Sequence, residues 1–154
     1  MGAAMLVAAS LWWGLEKVRE EERRLLILRG LVSFCRFVGE EINAYRTPLL
    51  KIFSGFENEA LFEAGFIPLL RKEGVALAVA SLEGMVNRDI HRELSHFAAE
   101  LGGGDTESQK TLCALTLERL ERELESFGKA YAERLRMYKL LPLLLGASVI
   151  ILLL

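Results

Sequence analysis

The sequence predicts an all-α fold, a small helical bundle with two long helices that continue into apolar chain ends. Three observations lead there. No run of alternating polar and apolar residues is long enough for a half-buried strand. Apolar residues recur at spacings of three, four and seven through residues 18–45 and 113–138. The charges are segregated, because 52% of the residues are hydrophobic and 26% charged, yet both chain ends carry uncharged runs.

The 154 residues suffice for one domain with a modest core. A net charge of −2 gives no electrostatic case for nucleic acid. The first uncharged run, "GAAMLVAASLWWGL", covers Gly2 to Leu15, and the second, "LLPLLLGASVIILLL", covers Leu140 to Leu154. Each is short against the roughly 20 residues of a usual bilayer span. Lys139 extends the second by snorkelling, and Trp12 and Trp13 stand where an interfacial aromatic belt belongs, next to Glu16. No Lys or Arg precedes Leu11, so an uncleaved anchor is expected rather than a signal peptide. Pro142 falls in a first helical turn. The expected organisation is a transmembrane segment over residues 1–15, a helical domain over 16–139 and a transmembrane segment over 140–154. Lys17, Arg19, Arg23 and Arg24 follow the first segment, and Arg134, Arg136 and Lys139 precede the second. The positive-inside rule then places the central domain in the cytoplasm.

The first helix carries the stripe Val18, Leu25, Leu28, Val32, Cys35, Val38, Ile42 and Tyr45. It ends before "RTPL", because the residue preceding a proline avoids the α region. Thr47 is expected to cap the next helix, with Pro48 at its first position. Short helices follow over about Pro48 to Phe56 and Asn58 to Ala64. "GFIP" at Gly65 to Pro68 reads as a turn. A helix from Pro68 broken near Gly74 and Gly84 comes next, with "VALAVA" read as buried helix, and another runs from about Asn87 to Leu101. "LGGGDTESQ" ends that helix on three glycines. Asp105 or Thr106 caps the next, and Thr106 with Gln109 has capping-box spacing. No strand precedes this loop and no Gly-Lys-Ser/Thr follows, so it is no P-loop. The last helix has the stripe Cys113, Leu117, Leu120, Leu124, Phe127, Tyr131, Leu135 and Tyr138, with Glu118–Arg122 and Glu125–Lys129 as i,i+4 pairs.

Signals for catalysis are weak. His91 and His96 are five apart, on different faces of a helix, and with Glu93 they make a poor metal site, so both read as surface histidines. Ser54 and Ser81 lack the strand–turn–helix frame of a nucleophile elbow. Cys35 and Cys113 fit no metal or C-x-x-C spacing and read as buried free thiols. A disulfide would need facing helices in an oxidising compartment. Glu40 and Glu41 point about 100° apart on a helix and share no site, so one faces water and the other caps or pairs at the junction. No enzyme activity, metal or cofactor is expected.

Four stretches carry a resemblance. Trp12, Gly14 and Glu16 fit W-x-G-x-E. Glu41, Ile42, Thr47, Pro48 and Leu49 fit L-E-x-E-I-x-x-x-x-T-P-L. Leu101, Gly102, Asp105 and Gln109 fit L-G-x-x-D-x-x-x-Q, and the final apolar segment contains Gly146. In that order the chain resembles the stage III sporulation protein AB family of endospore-forming bacteria. It departs at Gly39, where glutamate is frequent, in the position of Tyr45, and at Pro142, where glycine is common.

The resemblance implies a component of the channel complex between mother cell and forespore. It would lie in the mother-cell membrane around the forespore and be required after engulfment. It further implies likeness to the cytoplasmic domain of type II secretion and type IV pilus platform proteins. By that analogy the partners are the other stage III components, foremost the AA ATPase. Glu40, Glu41, Tyr45, Thr47 and Pro48 are the expected docking corner, and a homo-oligomer is compatible. A membrane tether without an ATPase, a holin-like pore and an unrecognised hydrolase are the other classes the residues leave open.

Overall fold

The computed structural model describes the backbone of residues 2–45 and 48–153, and within them the side chains of residues 9, 12–44, 48–141 and 144. The described residues are helical, without strands. The helices are α1 (Gly2–Tyr45), α2 (Leu49–Gly55), α3 (Glu59–Glu63), α4 (Phe66–Lys72), α5 (Val75–Ala80), α6 (Arg88–Glu100) and α7 (Thr106–Leu153). The chain forms two compact units. One comprises residues 1–23 with 125–154, the other Arg24–Leu124, and α1 and α7 each contribute to both. Among the described residues no helix is long and apolar enough to cross a membrane. The expected segments 1–15 and 140–154 fall largely on side chains outside the described set.

The unit formed by Arg24–Leu124 holds the core. The buried face of α1 is wider than the expected stripe. Ile27, Leu31 and Phe34 are as buried as Leu28, Val32, Cys35 and Val38. A helix that meets neighbours on two sides needs an apolar arc broader than a single seam. Phe34 is the hub, with ring centroids 5.2 Å from Phe56, 5.3 Å from Phe66 and 6.1 Å from Phe53. The first two pairs are edge-on, the arrangement that the ring quadrupole favours. Successive short helices pack on one another: α4 on α2, α3 and α5, and α5 on α6.

Local chemistry sets the breaks between the short helices. Asn58 caps α3 by accepting the Leu61 N–H at 3.1 Å, and Asn87 caps α6 by accepting the Asp89 N–H at 3.1 Å. Gly65, at φ 84°, separates α3 from α4. Pro68 lies inside α4, in its first turn, where an absent N–H breaks no helical bond, so "GFIP" is a helix start rather than a turn alone. "VALAVA" is helical, but only Ala78 and Val79 are buried and Leu77 is 52% exposed. It is a half-buried helix, not a wholly buried one.

On α7 the buried positions are Gln109, Cys113, Thr116 and Leu120, at spacings of four, three and four. Leu117 and Leu124, expected in the stripe, are half-buried. Arg122 pairs with Glu118, and Lys129 Nζ is 2.8 Å from Glu125, as the i,i+4 spacing predicts. In the unit formed by residues 1–23 and 125–154, Arg134 Nε lies 3.2 Å from Glu21 Oε2, at an angle that makes no hydrogen bond. The Arg134 guanidinium stands 5.9 Å from the Phe127 ring. A Cβ on Gly14 would meet Tyr138 at 3.8 Å, an ordinary contact. These contacts set α1 and α7 side by side within this unit.

Candidate functional site

The docking corner expected at residues 40–48 is described in part. Tyr45's side chain and all of Thr47 lie outside the described residues. Glu40 is exposed and Glu41 half-buried near the end of α1. Among the described residues neither carboxylate has an ion pair, and neither caps α2. Pro48 is exposed and takes the N-cap position of α2, at φ −57° and ψ 136°, so it precedes the first helical residue rather than occupying it. Its carbonyl accepts the N–H groups of Lys51 and Ile52 at 2.9 and 3.2 Å.

Leu49 then turns toward the three-glycine loop. A Cβ on Gly102 would stand 2.9 Å from Leu49 Cδ1, closer than side-chain contacts normally come. Gly102 also has φ 90°, and Gly104 has φ 80°. Two separate requirements, the left-handed backbone and the space for Leu49, thus fall on Gly102. Leu49 and the loop, some fifty positions apart in the sequence, thus meet in this unit.

Gln109 holds the loop from beneath. Its Oε1 accepts the Gly102 N–H at 2.8 Å, and its Nε2 donates to the Glu100 carbonyl at 3.1 Å and to the Gly103 carbonyl. The side chain is 8% exposed. No capping box with Thr106 forms, because Gln109 spends its amide on the loop. The cap of α7 is Asp105, whose Oδ1 accepts the Ser108 N–H at 3.0 Å, while Thr106 is the first helical residue and is exposed. The side-chain hydrogen bond from Ser108, and then its backbone N–H, hold the Asp105 carboxyl below the usual range.

Behind this surface the two long helices touch. A Cβ on Gly39 would lie 3.4 Å from the Cβ of Cys113. Cys35, one turn before Gly39, is fully buried, and both cysteines are free thiols. Burial, and secondarily Cys113, push the Cys35 thiol up, and burial pushes Cys113 up to about 11. These thiols are packing groups, without the electropositive surroundings that a nucleophile needs.

Most of the other groups considered for chemistry are engaged structurally. Glu93 pairs with Arg119 across α6 and α7. His96 Nε2 is 3.2 Å from Glu100. His91 is half-buried, not at the surface as expected of both histidines, and its Nε2 has no hydrogen-bond partner. Ser54 and Ser81 donate to the carbonyls of Lys51 and Ala78 in their own turns. Among the described residues no three His, Cys, Asp or Glu side chains are placed to hold a metal.

Toward the other chain ends, Trp12 is 74% and Trp13 68% exposed, and Lys17 Nζ stands 5.2 Å from the Trp13 ring centroid. Glu16, Lys139, Met137, Leu140 and Leu141 are exposed as well.

Sequence reasoning missed the meeting of Leu49 with Gly102 and the role of Gln109. A glutamine one turn into a helix, after a glycine-rich loop, was the available signal. It also missed Gly30, where a Cβ would meet Asn58 and Leu61 at 2.8 Å. A glycine inside a strongly helical run marks such a close approach.

The family model described as stage III sporulation protein AB matches residues 78–154. The match covers half of the chain. It takes in the glycine loop, Gln109 and all of α7, and it leaves out the corner at residues 39–50. No curated protein and no solved structure matches the chain.

Proposed function

Because the chain belongs to the stage III sporulation protein AB family, we propose that it is a non-enzymatic, membrane-anchored platform component of the channel complex between mother cell and forespore. Family membership gives it a role in sporulation. The platform role adds three parts: two terminal membrane anchors, a cytoplasmic helical domain and a docking surface for the AA ATPase.

One observation supports the docking part above the others. Leu49 and Gly102, which belong to two of the sequence motifs, come into contact. A motif pair that converges on an exposed surface, with its backbone held by a buried glutamine, suits recognition better than catalysis. Leu50, next to that contact, is 77% exposed. Support for the anchors comes from the uncharged runs Gly2 to Leu15 and Leu140 to Leu154 with their basic inner flanks.

The test has two arms. Deletion in the native host should arrest development after engulfment, with small forespores and few heat-resistant spores, and the intact gene should restore both. The full chain in detergent should retain the AA ATPase on an affinity matrix, and Glu41→Ala should release it without loss of helicity. A chain that supports spore formation yet never retains the ATPase is a two-span tether or adaptor. Normal spores in the deletion strain would remove the channel role.

A further inference from the structure

We propose that the stretch of α1 just after its uncharged run is a binding site for the phosphate of anionic glycerophospholipids. The inference rests on the membrane-anchor part of the reading above. It adds a ligand class and named residues.

An open recess of about 590 Å³ lies along this stretch, lined by Trp13, Glu16, Lys17, Arg19, Glu20 and Arg23. Three of the six are cations. Among the described residues Lys17, Arg19 and Arg23 form no ion pair, and the one contact of Lys17 is with the Trp13 ring. Glu16 and Glu20 share the lining, so the three cations outnumber the carboxylates there, and Glu20 has an interaction of its own besides. A cation over an indole face is held by the ring quadrupole yet keeps its three N–H donors. Arg19 and Arg23 add planar donor forks that suit phosphate oxygens.

Depth argues for a lipid source of the phosphate. Trp12 and Trp13 are 74% and 68% exposed at the end of a run without charge. Indoles of that kind settle at the headgroup level, and the cations one to three turns further on then face the phosphates. A soluble phosphate compound would have no use for the exposed indoles.

The chain supplies its own probe, since its two tryptophans are Trp12 and Trp13. The full chain is reconstituted in bilayers of phosphatidylcholine and phosphatidylglycerol, with brominated acyl chains on one lipid or the other at equal mole fraction. Brominated phosphatidylglycerol is expected to quench the indole fluorescence about twofold more strongly than brominated phosphatidylcholine, from the local excess of anionic lipid that basic residues gather. The triple variant Lys17→Gln, Arg19→Gln, Arg23→Gln should equalise the two lipids while its helical circular dichroism is unchanged. Equal quenching of the native chain would overturn the lipid site and leave the anchors standing. Quenching by neither lipid would overturn both. Loss of the preference on adding soluble glycerophosphate, at constant ionic strength, would assign the site to free phosphate and overturn the lipid reading.

Discussion

The Cβ that Gly30 lacks would lie 2.8 Å from the Oδ1 of Asn58, the atom that caps α3. Alanine in a helix interior ordinarily gains about 0.5–1 kcal/mol over glycine. At Gly30 the added methyl meets both the cap and fully buried Leu61, so overpacking outweighs propensity. Gly30→Ala should therefore destabilise, by roughly 1–3 kcal/mol. Gly128, on α7, has open space where its Cβ would be, and Gly128→Ala should raise stability instead. Thermal unfolding of the two variants, followed by circular dichroism, should move in opposite directions.

Gln109→Ala removes three hydrogen bonds from the glycine loop, leaving the Gly102 N–H without its acceptor and the Gly103 carbonyl without the amide, while the Glu100 carbonyl keeps the Gly103 N–H. A loss of about 1–3 kcal/mol is expected. Gln109→Glu should be worse than its similar shape suggests, because a carboxylate turns lone pairs toward the Glu100 and Gly103 carbonyls where the amide had N–H groups. Hydrogen exchange at the Gly102 amide is the local readout. It should accelerate in the alanine variant more than amides in the middle of α6 do.

Asp105 makes the start of α7 sensitive to acid. Its carboxyl is held below the ordinary range by Ser108, so the folded state favours the ionised form. A depressed folded value contributes stability above the unfolded carboxylate pKa of about 4, and that contribution is lost as pH falls through the folded value. Amides of the first turn of α7 should lose protection in this acid window. Asp105→Asn keeps an acceptor for the Ser108 N–H and should abolish the pH dependence of that protection.

The two cysteines predict the opposite slope. Burial raises both thiols, Cys113 to about 11, so the folded state favours the neutral form. Their contribution is complete below the unfolded thiol value of about 8.5 and declines as pH rises toward the folded values. At pH 8 native Cys113 is therefore held as the neutral, unreactive thiol. Iodoacetamide should leave both cysteines unlabelled in the native chain and label both after denaturation. Rapid native labelling of Cys113 would contradict the packing described.

Much of the helical scaffold was legible from periodicity, and the reason is length. Over many turns in α1 and α7 the spacing of apolar residues outvotes any local ambiguity. Asn58 and Asn87 were readable as boundaries because their caps act within three residues. The failures lie where the deciding partner is distant in sequence. Ile27, Leu31 and Phe34 fall outside one stripe because α1 is covered by more than one neighbour. Gln109 looks like a capping-box residue until the loop folds back over it. Pro68 punctuates a turn in one context and opens a helix in another, and the left-handed Gly65 decides between them. The contact of Leu49 with Gly102 leaves no trace in either local pattern.

The division of the long helices between two units bears on the order in which the chain is made. The unit Arg24–Leu124 is one continuous stretch, and its partners have all been translated once Leu124 has emerged from the ribosome. The other unit joins residues 1–23 to residues 125–154. Its first strip of helix must wait through the synthesis of the whole core before Tyr138 reaches Gly14 and Arg134 reaches Glu21. Vectorial synthesis therefore favours a sequence in which the core is finished first and the helix pair is zipped last.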